Sequence, residues 1–530
     1  MSRRFQTANR EQLLLLSPSI DDWVEEEHLV RFLADCVEQF DLSRFYASYS
    51  AEGGAAWDPK MLLTVMLYAW CMGIRSSRKI AAACRDHMAL RWATGNRGPD
   101  HCAFARFFRR HEEAIRELFA QVLLLCHRAG ALRLGHLYLD GTKIRGNASL
   151  SANRTLARLR EEIVLIEEEM RRSDAADDAR FGESCSGEEL PPGLRDRHAR
   201  LERLRAARDH LELELATERA LRAGCGSDAS RSGRDVSSSS CPSSPSGLRQ
   251  GELWESGGAS ECGESEATVG CASEEESAPA PVLPEAEAGQ AVESESVESE
   301  PAGKRGAGER KAESKGKKGK KGKPDDERRV NLSDPDSRIM KGRQGHVQGY
   351  NAQAVVTSGQ FVVFGDVVQD ENDLHLLEPM VLGAQSSLRA AGIEETAKTV
   401  SADAGYWHEG VDVSGIEATG VELFVATRNR RKQAQTAPRG RMPQGLTQTQ
   451  RMERKMATQA GRSVYRGRSC SVEPVFGQLK ECLDGRRFLR RGLEHVRSEW
   501  SFLCACFNLR KLCTWLRAGG RSLRCSAAPS

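Results

Sequence analysis

The sequence predicts a mixed α/β domain joined to an all-helical amino-terminal domain, with a helical hairpin and a disordered tether set into the α/β part. Three observations lead there. Apolar residues recur at helical spacing from Asp21 to about Leu132, strand-like alternation begins at HLYLDGTKI and resumes at YNAQAVV, and between them a coiled-coil-like seam gives way to a low-complexity stretch. The 530 residues exceed one ordinary core, so several units are expected.

The helical part is legible in HLVRFLADCVEQF and MLLTVMLYAWCMGI, with Pro59 where a first helical turn tolerates it. SSRKIAAACRDHMALRWATG predicts a serine-capped helix and a second short helix ending at Gly95, and GPDHCAFARFFRRHEEAIRELF begins a third. Arg75, Arg78, Lys79, Arg106 and Arg109 fall on this helix-turn-helix-like stretch. They suit DNA phosphates, or else the solvated basic face of a bundle.

HLYLDGTKI then reads as a strand. After it, Leu156, Leu159, Ile163, Ile166 and Met170 form one seam, and Leu194, Leu201, Leu204, Leu211 and Leu215 form a second beyond LPPG. Two such helices imply an intramolecular antiparallel hairpin. From Ala223 to Arg329 the chain turns to serine, glutamate, glycine and proline, too poor in apolar surface to offset its conformational entropy. Order is expected again from VNLSDPDSRIMKGRQGHVQG, with YNAQAVV and QFVVFGDVV a hairpin across TSG, then a helix at HLLEPMVLGAQSSLRAAG, strands at KTVSADAGYW and VELFVAT, and a helix at SVEPVFGQLKECL.

Composition excludes several classes. Seventy-seven basic and 75 acidic residues leave a formal charge of only +2, so affinity for nucleic acid must rest on local runs such as GKKGKKGK, RNRRK and RRFLRR. The 16 cysteines contain no CxxC pair, which argues against a zinc finger or a secreted disulfide framework and for reduced thiols in a cytoplasmic protein. Four leucines near the start are too few for a signal peptide, and the longest apolar stretch is shorter than the about 18 residues of a membrane span. No membrane partner is expected.

The chemistry concentrates on acids. Asp140 interrupts an apolar strand, where lost hydration must be replaced by a cation, a proton or hydrogen-bond donors. Asp-Gly also reads as a turn, and the local sequence leaves both open. Asp403 ends a later strand and Glu473 sits on the last predicted helix. Three converging carboxylates suit two Mg²⁺ ions acting on a phosphate. In YRGRSCSVEPVFGQLK, Tyr465, Arg468, Glu473 and Lys480 follow in order, and Glu473 and Lys480, two helical turns apart, share one helix face.

LYLDGTKIRGNAS, SDPDSRIMKGRQGHVQGYNAQ, SADAGYW and YRGRSCSVEPVFGQLKECLDGRRFLRRG resemble, in order, the catalytic blocks of DDE transposases of bacterial insertion sequences. They are most similar to the branch numbered eleven eighty-two, related to branches four and five. SPSIDDWVEEEHLVRFL, WDPKMLLTVMLYAWCMGIRSSRKI and GPDHCAFARFFRRH resemble that group's helical DNA-binding region, and LPPGLRDRHARLERL its insert.

The resemblance implies an RNase H-like catalytic fold with Asp140, Asp403 and Glu473 as catalytic metal ligands. It implies two Mg²⁺ per site with Mn²⁺ as a substitute, and DNA contacts from Tyr465, Arg468 and Lys480. The implied partners are double-stranded DNA, as terminal inverted repeats and as target, and further copies of the chain in a homo-oligomer on that DNA. The implied location is the cytoplasm, at the nucleoid. The domains expected are 1–132 (helical, DNA-binding), 133–150 with 331–516 (catalytic, split), 151–222 (hairpin), 223–330 (tether) and 517–530 (disordered tail). The tether is longer and richer in serine and glutamate than the group leads one to expect.

An active transposase is the first expectation. A DNA-binding protein that no longer cuts and a plain nuclease of the same fold are the alternatives. No ATPase-type glycine loop is present, so no nucleotide requirement is expected.

Overall fold

In the computed structural model the described residues are 19–50, 56–181, 192–226, 325–342, 345–428 and 440–519. Most of the expected tether (227–324) and tail (520–530), all of GKKGKKGK and all of RNRRK but Arg428 lie outside them. Met1–Arg222 with Lys323–Ser530 form one unit and Ala223–Gly322 a second.

Seven helices come first: α1 (Leu29–Glu38), α2 (Ser43–Ala47), α3 (Pro59–Cys71), α4 (Ser77–Asp86), α5 (Met88–Ala93), α6 (His101–Arg110) and α7 (Glu112–Arg128). Asp58 caps α3 by accepting from the Lys60 N–H at 3.0 Å, with Pro59 in the first turn. From Leu62 to Cys71 every residue of α3 is buried, as a helix apolar all round must be. Asp100 caps α6 through the Ala103 N–H at 2.8 Å. The helix expected as one piece from Asp100 breaks at His111 into α6 and α7, because the His111 ring is buried among Phe45, Tyr49 and Phe107.

Next come β1 (His136–Arg145), β2 (Asn153–Thr155), α8 (Leu156–Phe181), α9 (Pro192–Gly226) and β3 (Arg329–Asn331). Leu156, Leu159, Ile163 and Ile166 of α8 share a buried cluster with Leu201, Leu204, Leu211 and Leu215 of α9, and Met170 packs at its edge. The side chain of Leu194 lies outside the described residues. Ion pairs Arg160–Glu212 (2.8 Å) and Glu167–Arg205 (2.6 Å) show that the helices run antiparallel. At their base β2 and β3 pair antiparallel, and the Leu156 N–H donates to the Arg328 carbonyl at 3.1 Å. The chain therefore leaves and re-enters the sheet region at one place, so the long excursion leaves strand pairing undisturbed.

Then follow β4 (Arg338–Gly342), β5 (Gly345–Thr357), β6 (Val362–Val368), α10 (Leu377–Ala390), β7 (Thr399–Ala402), α11 (Val413–Glu417), β8 (Glu422–Val425), α12 (Gln448–Ala457), α13 (Gln459–Glu481) and α14 (Leu493–Ala518). The sheet order is β4-β5-β1-β7-β8, with β6 also on β5. β1, β7 and β8 are parallel, while β5 is antiparallel to β1, β4 and β6. The expected β5–β6 hairpin is present. β4, which sequence reasoning did not mark, prolongs the edge beside Gly345–Gly349.

α14 ties the helices to the sheet. It packs on α7, α3 and β6, and Asn508 both accepts from the Val362 N–H (2.9 Å) and donates to the Val362 carbonyl (2.7 Å), closing the start of that strand. Phe502 meets Trp70 edge-on at 4.8 Å, so one apolar core runs from α1 through to α14.

Candidate active site

β1 passes straight through Asp140 and Gly141, which pair with Ala354 and Gln353 on β5, so the Asp-Gly is not a turn. Glycine is required there by crowding: a Cβ on Gly141 would stand 2.2 Å from Gln353 Nε2 and 3.0 Å from Asp373 Oδ1. Because strand residues alternate faces, Tyr138, Asp140 and Thr142 share the opposite face, and α13 lies across it. Gly467 of α13 meets the Tyr138 hydroxyl, Arg468 pairs with Asp140 (Nη1 to Oδ2, 2.9 Å), and Lys480 donates to Thr142 Oγ1.

Asp403 follows β7 directly and caps the short turn Ala404–Tyr406, accepting from the Gly405 N–H at 2.8 Å. β7 pairs in parallel with β1 as His136 to Thr399, Leu137 to Val400 and Tyr138 to Ser401, and the same offset brings Asp403 level with Asp140. Their charges interact. Burial, with Asp403 adding to it against the pull of Arg468, pushes the Asp140 carboxyl up to about 6. Burial works against charging Arg468, but Asp140 and then Asp403 hold its pKa above the ordinary value. The Arg468 guanidinium also lies 5.9 Å from the centre of the Tyr465 ring.

Glu473 has a different setting. Its neighbours Val472, Val475, Phe476 and Leu479 turn inward, which leaves Glu473 exposed on α13. Among the described residues no three His, Cys, Asp or Glu side chains are gathered closely enough to hold a metal ion. Asp140 and Asp403 supply hard carboxylate oxygens with a single guanidinium as counter-charge, which fits Mg²⁺ in kind. In number, the set is short of a third ligand.

The basic residues divide. Arg78 and Lys79 on α4, and Arg106 and Arg109 on α6, are exposed. Arg75 is 4% exposed: its guanidinium pairs with Glu499 and donates to the carbonyls of Asp484 and Arg487, so the expectation that it meets DNA is corrected. It is an internal cation, because the turn between α3 and α4 meets the 484–499 segment.

Sequence reasoning missed Asp373, on the face of β1 opposite Asp140. Its Oδ1 accepts from Asn351 Nδ2 (2.7 Å) and Gln353 Nε2 (2.8 Å) and lies 3.7 Å from Lys143 Nζ. Tyr406, fully buried, donates to Gln353 Oε1 in the same network. The buried polar positions Asn351 and Gln353 among the apolar residues of β5 were the available signal.

Two family models match the chain. Residues 18–110 match Transposase domain (DUF772), and residues 427–513 match Transposase DDE domain. The first match takes in α1 to α6 with the four exposed basic residues; the second takes in Tyr465, Arg468, Glu473 and Lys480 but does not reach Asp140 or Asp403. No curated protein and no solved structure matches the chain.

Proposed function

We propose that this insertion-sequence DDE transposase binds the terminal inverted repeats of its element, cuts the DNA there, and joins the freed 3′-hydroxyl ends to target DNA. The observation that carries the reading is the pair Asp140, on β1, and Asp403, just past the adjacent β7, both partly buried and with interacting charges. Asp140, Asp403 and Glu473 are the ligands for two Mg²⁺, with Mn²⁺ as a substitute. Bound there, the ions supply an activated water and charge stabilisation for in-line phosphoryl transfer.

The chain's own groups divide the remaining work. Arg468, held at Asp140, keeps that carboxylate oriented, and Tyr465 braces the guanidinium. Lys480 and the exposed Arg78, Lys79, Arg106 and Arg109 bind phosphates, holding the DNA in register without reading its sequence. Copies of the chain act together on paired ends. The sheet, in which β1 lies between the antiparallel β5 and the parallel β7, supports an RNase H-like fold for the catalytic part.

The test uses the purified full chain and duplexes carrying the element's ends, with Mg²⁺. Cleavage and strand transfer are expected from the natural chain and from none of Asp140→Asn, Asp403→Asn and Glu473→Gln, while end binding persists in all. The exposure of Glu473 and the absence of a three-ligand group among the described residues favour one second reading, a DNA-binding protein that no longer cuts. End binding by the natural chain without cleavage in Mg²⁺ or Mn²⁺ would establish that reading instead.

A further inference from the structure

Asn351 and Gln353 stand two positions apart on β5, so they share one face of the sheet, and both are fully buried. Buried amides are costly unless their hydrogen bonds are made. Gln353 uses both amide hydrogens and its carbonyl: Nε2 donates to Asn351 Oδ1 (3.0 Å) and to Asp373 Oδ1 (2.8 Å), and Oε1 accepts from the Tyr406 hydroxyl. Asn351 Nδ2 donates to the same Asp373 oxygen at 2.7 Å.

One acid fixes the direction of this chain of bonds. A carboxylate at Asp373 only accepts, so the Gln353 amide turns its nitrogen there and its oxygen towards Tyr406. Burial, and then the charges of Asp373, Asp140 and Asp403, hold the Tyr406 hydroxyl in its protonated form. It remains a donor.

The chain of bonds crosses β1. In the sheet β1 lies between β5, which carries Gln353, and β7, which leads to Tyr406. Gln353 pairs with Gly141, and its amide lies where a Cβ of Gly141 would be, so the missing side chain next to Asp140 lets Gln353 and Tyr406 meet over the strand. Tyr406 closes the turn that Asp403 begins: its N–H donates to the Asp403 carbonyl at 3.4 Å, while the Asp403 carboxylate takes the Gly405 N–H. Asp373 reaches this turn too, since a Cβ on Gly405 would stand 3.0 Å from Asp403 Oδ1 and 3.6 Å from Asp373 Oδ2. The β1–β7 ladder sets the level of the two strands but ends at Tyr138 and Ser401, two positions before each aspartate. Beyond it the turn needs another tie.

We propose that Gln353 and Tyr406 are positioning residues, whose hydrogen bond, directed by Asp373, straps the turn bearing Asp403 to the strand bearing Asp140. That the strap thereby orients ligands for a cation rests on the function proposed above; the strap itself does not. The experiment has two arms on the full chain. Hydrogen–deuterium exchange read by mass spectrometry follows the turn without metal, and Mn²⁺ titration read by electron spin resonance follows the carboxylates.

Tyr406→Phe keeps the ring and removes one donor. It should speed exchange at Ala404–Tyr406 while β1 and β5 keep their natural rates, and should weaken Mn²⁺ binding about tenfold, the loss usual when a group that orients a metal ligand is removed. Gln353→Glu should act alike, because it sets a carboxylate oxygen against Asp373. Combining Gln353→Glu with Asp373→Asn swaps acid and amide at unchanged net charge. With the Asn351 amide turned over, the bonds among these three residues re-form in the reverse sense and Tyr406 keeps its acceptor, so both readings should return to the natural values.

A turn that exchanges no faster in Tyr406→Phe, or faster exchange spread evenly over the sheet, overturns the proposal. So does a double variant as impaired as Gln353→Glu, which would mean that Asp373 acts by its own charge. A natural chain that binds no Mn²⁺ sinks the two-metal reading alone, and the exchange arm still decides the strap.

Discussion

Asp140 on β1 and Asp403, which directly follows the parallel neighbour β7, are separated in sequence by the same offset as the paired residues His136 and Thr399. Backbone hydrogen bonds between β1 and β7 therefore set how close the two carboxylates stand. In the metal-free chain, Asp403→Asn should lower the pKa of Asp140 by removing a like charge, yet leave it above the ordinary carboxylate value because burial is the larger cause. Carboxyl-labelled NMR titration reads this; an unchanged Asp140 would mean the two are not coupled.

Arg468 acts in the opposite sense. Its guanidinium lowers the Asp140 pKa against burial, so Arg468→Ala should raise that pKa above about 6. The same titration checks the direction. A fall would show that Asp140 finds another cation when Arg468 is removed.

Asp140 also links the fold to pH. A carboxyl raised from 3.8 to about 6 is favoured in its protonated form by the fold, so its contribution is full below the unfolded value and is lost as pH rises towards 6. With chelator present, Asp140→Asn should therefore be more stable than the natural chain at pH 7, by up to about 3 kcal/mol, and no more stable at pH 4. Urea melts at the two pH values measure it.

His111 predicts a slope of the other sign. Burial, with Arg110 adding to it, depresses this ring from 6.5 to about 4, so the neutral form is favoured in the fold. Its contribution is complete above the unfolded value and is lost as pH falls from 6.5 to 4, by about 3 kcal/mol in all. His111→Phe, placed among Phe45, Tyr49 and Phe107, should flatten the loss of stability between pH 7 and pH 4.5 in denaturant melts.

The buried pair Arg75–Glu499 joins the helical region to the carboxy-terminal segment. Arg75→Gln leaves Glu499 without its cation and should cost about 3–5 kcal/mol of stability. At a temperature where the variant remains folded, its DNA affinity and the salt dependence of binding should match the natural chain. Loss of salt dependence would return Arg75 to the phosphate contacts.

Much of the architecture follows from periodicity. The apolar repeats of α3 and α7, the seams of α8 and α9, and the alternation of β1, β5 and β6 are properties of neighbouring residues, and local geometry reads them directly. The short β2, β3 and β4 carry too few residues for a pattern and exist through the partners they find. Asp373 was missed for a related reason, since a loop acid becomes notable only when Asn351 and Gln353 reach it from β5.

The sequence by itself determined which residues are acids in apolar settings and basic residues on helices, because side-chain type and helical or strand spacing are written within a few positions. Tertiary structure alone decided their partners. It set Asp140 beside Asp403 and Arg468, buried Arg75 against Glu499, and left Glu473 at the surface. The charge of a residue is local, but its desolvation and its counter-ion depend on chain segments hundreds of positions away that meet only when the core packs.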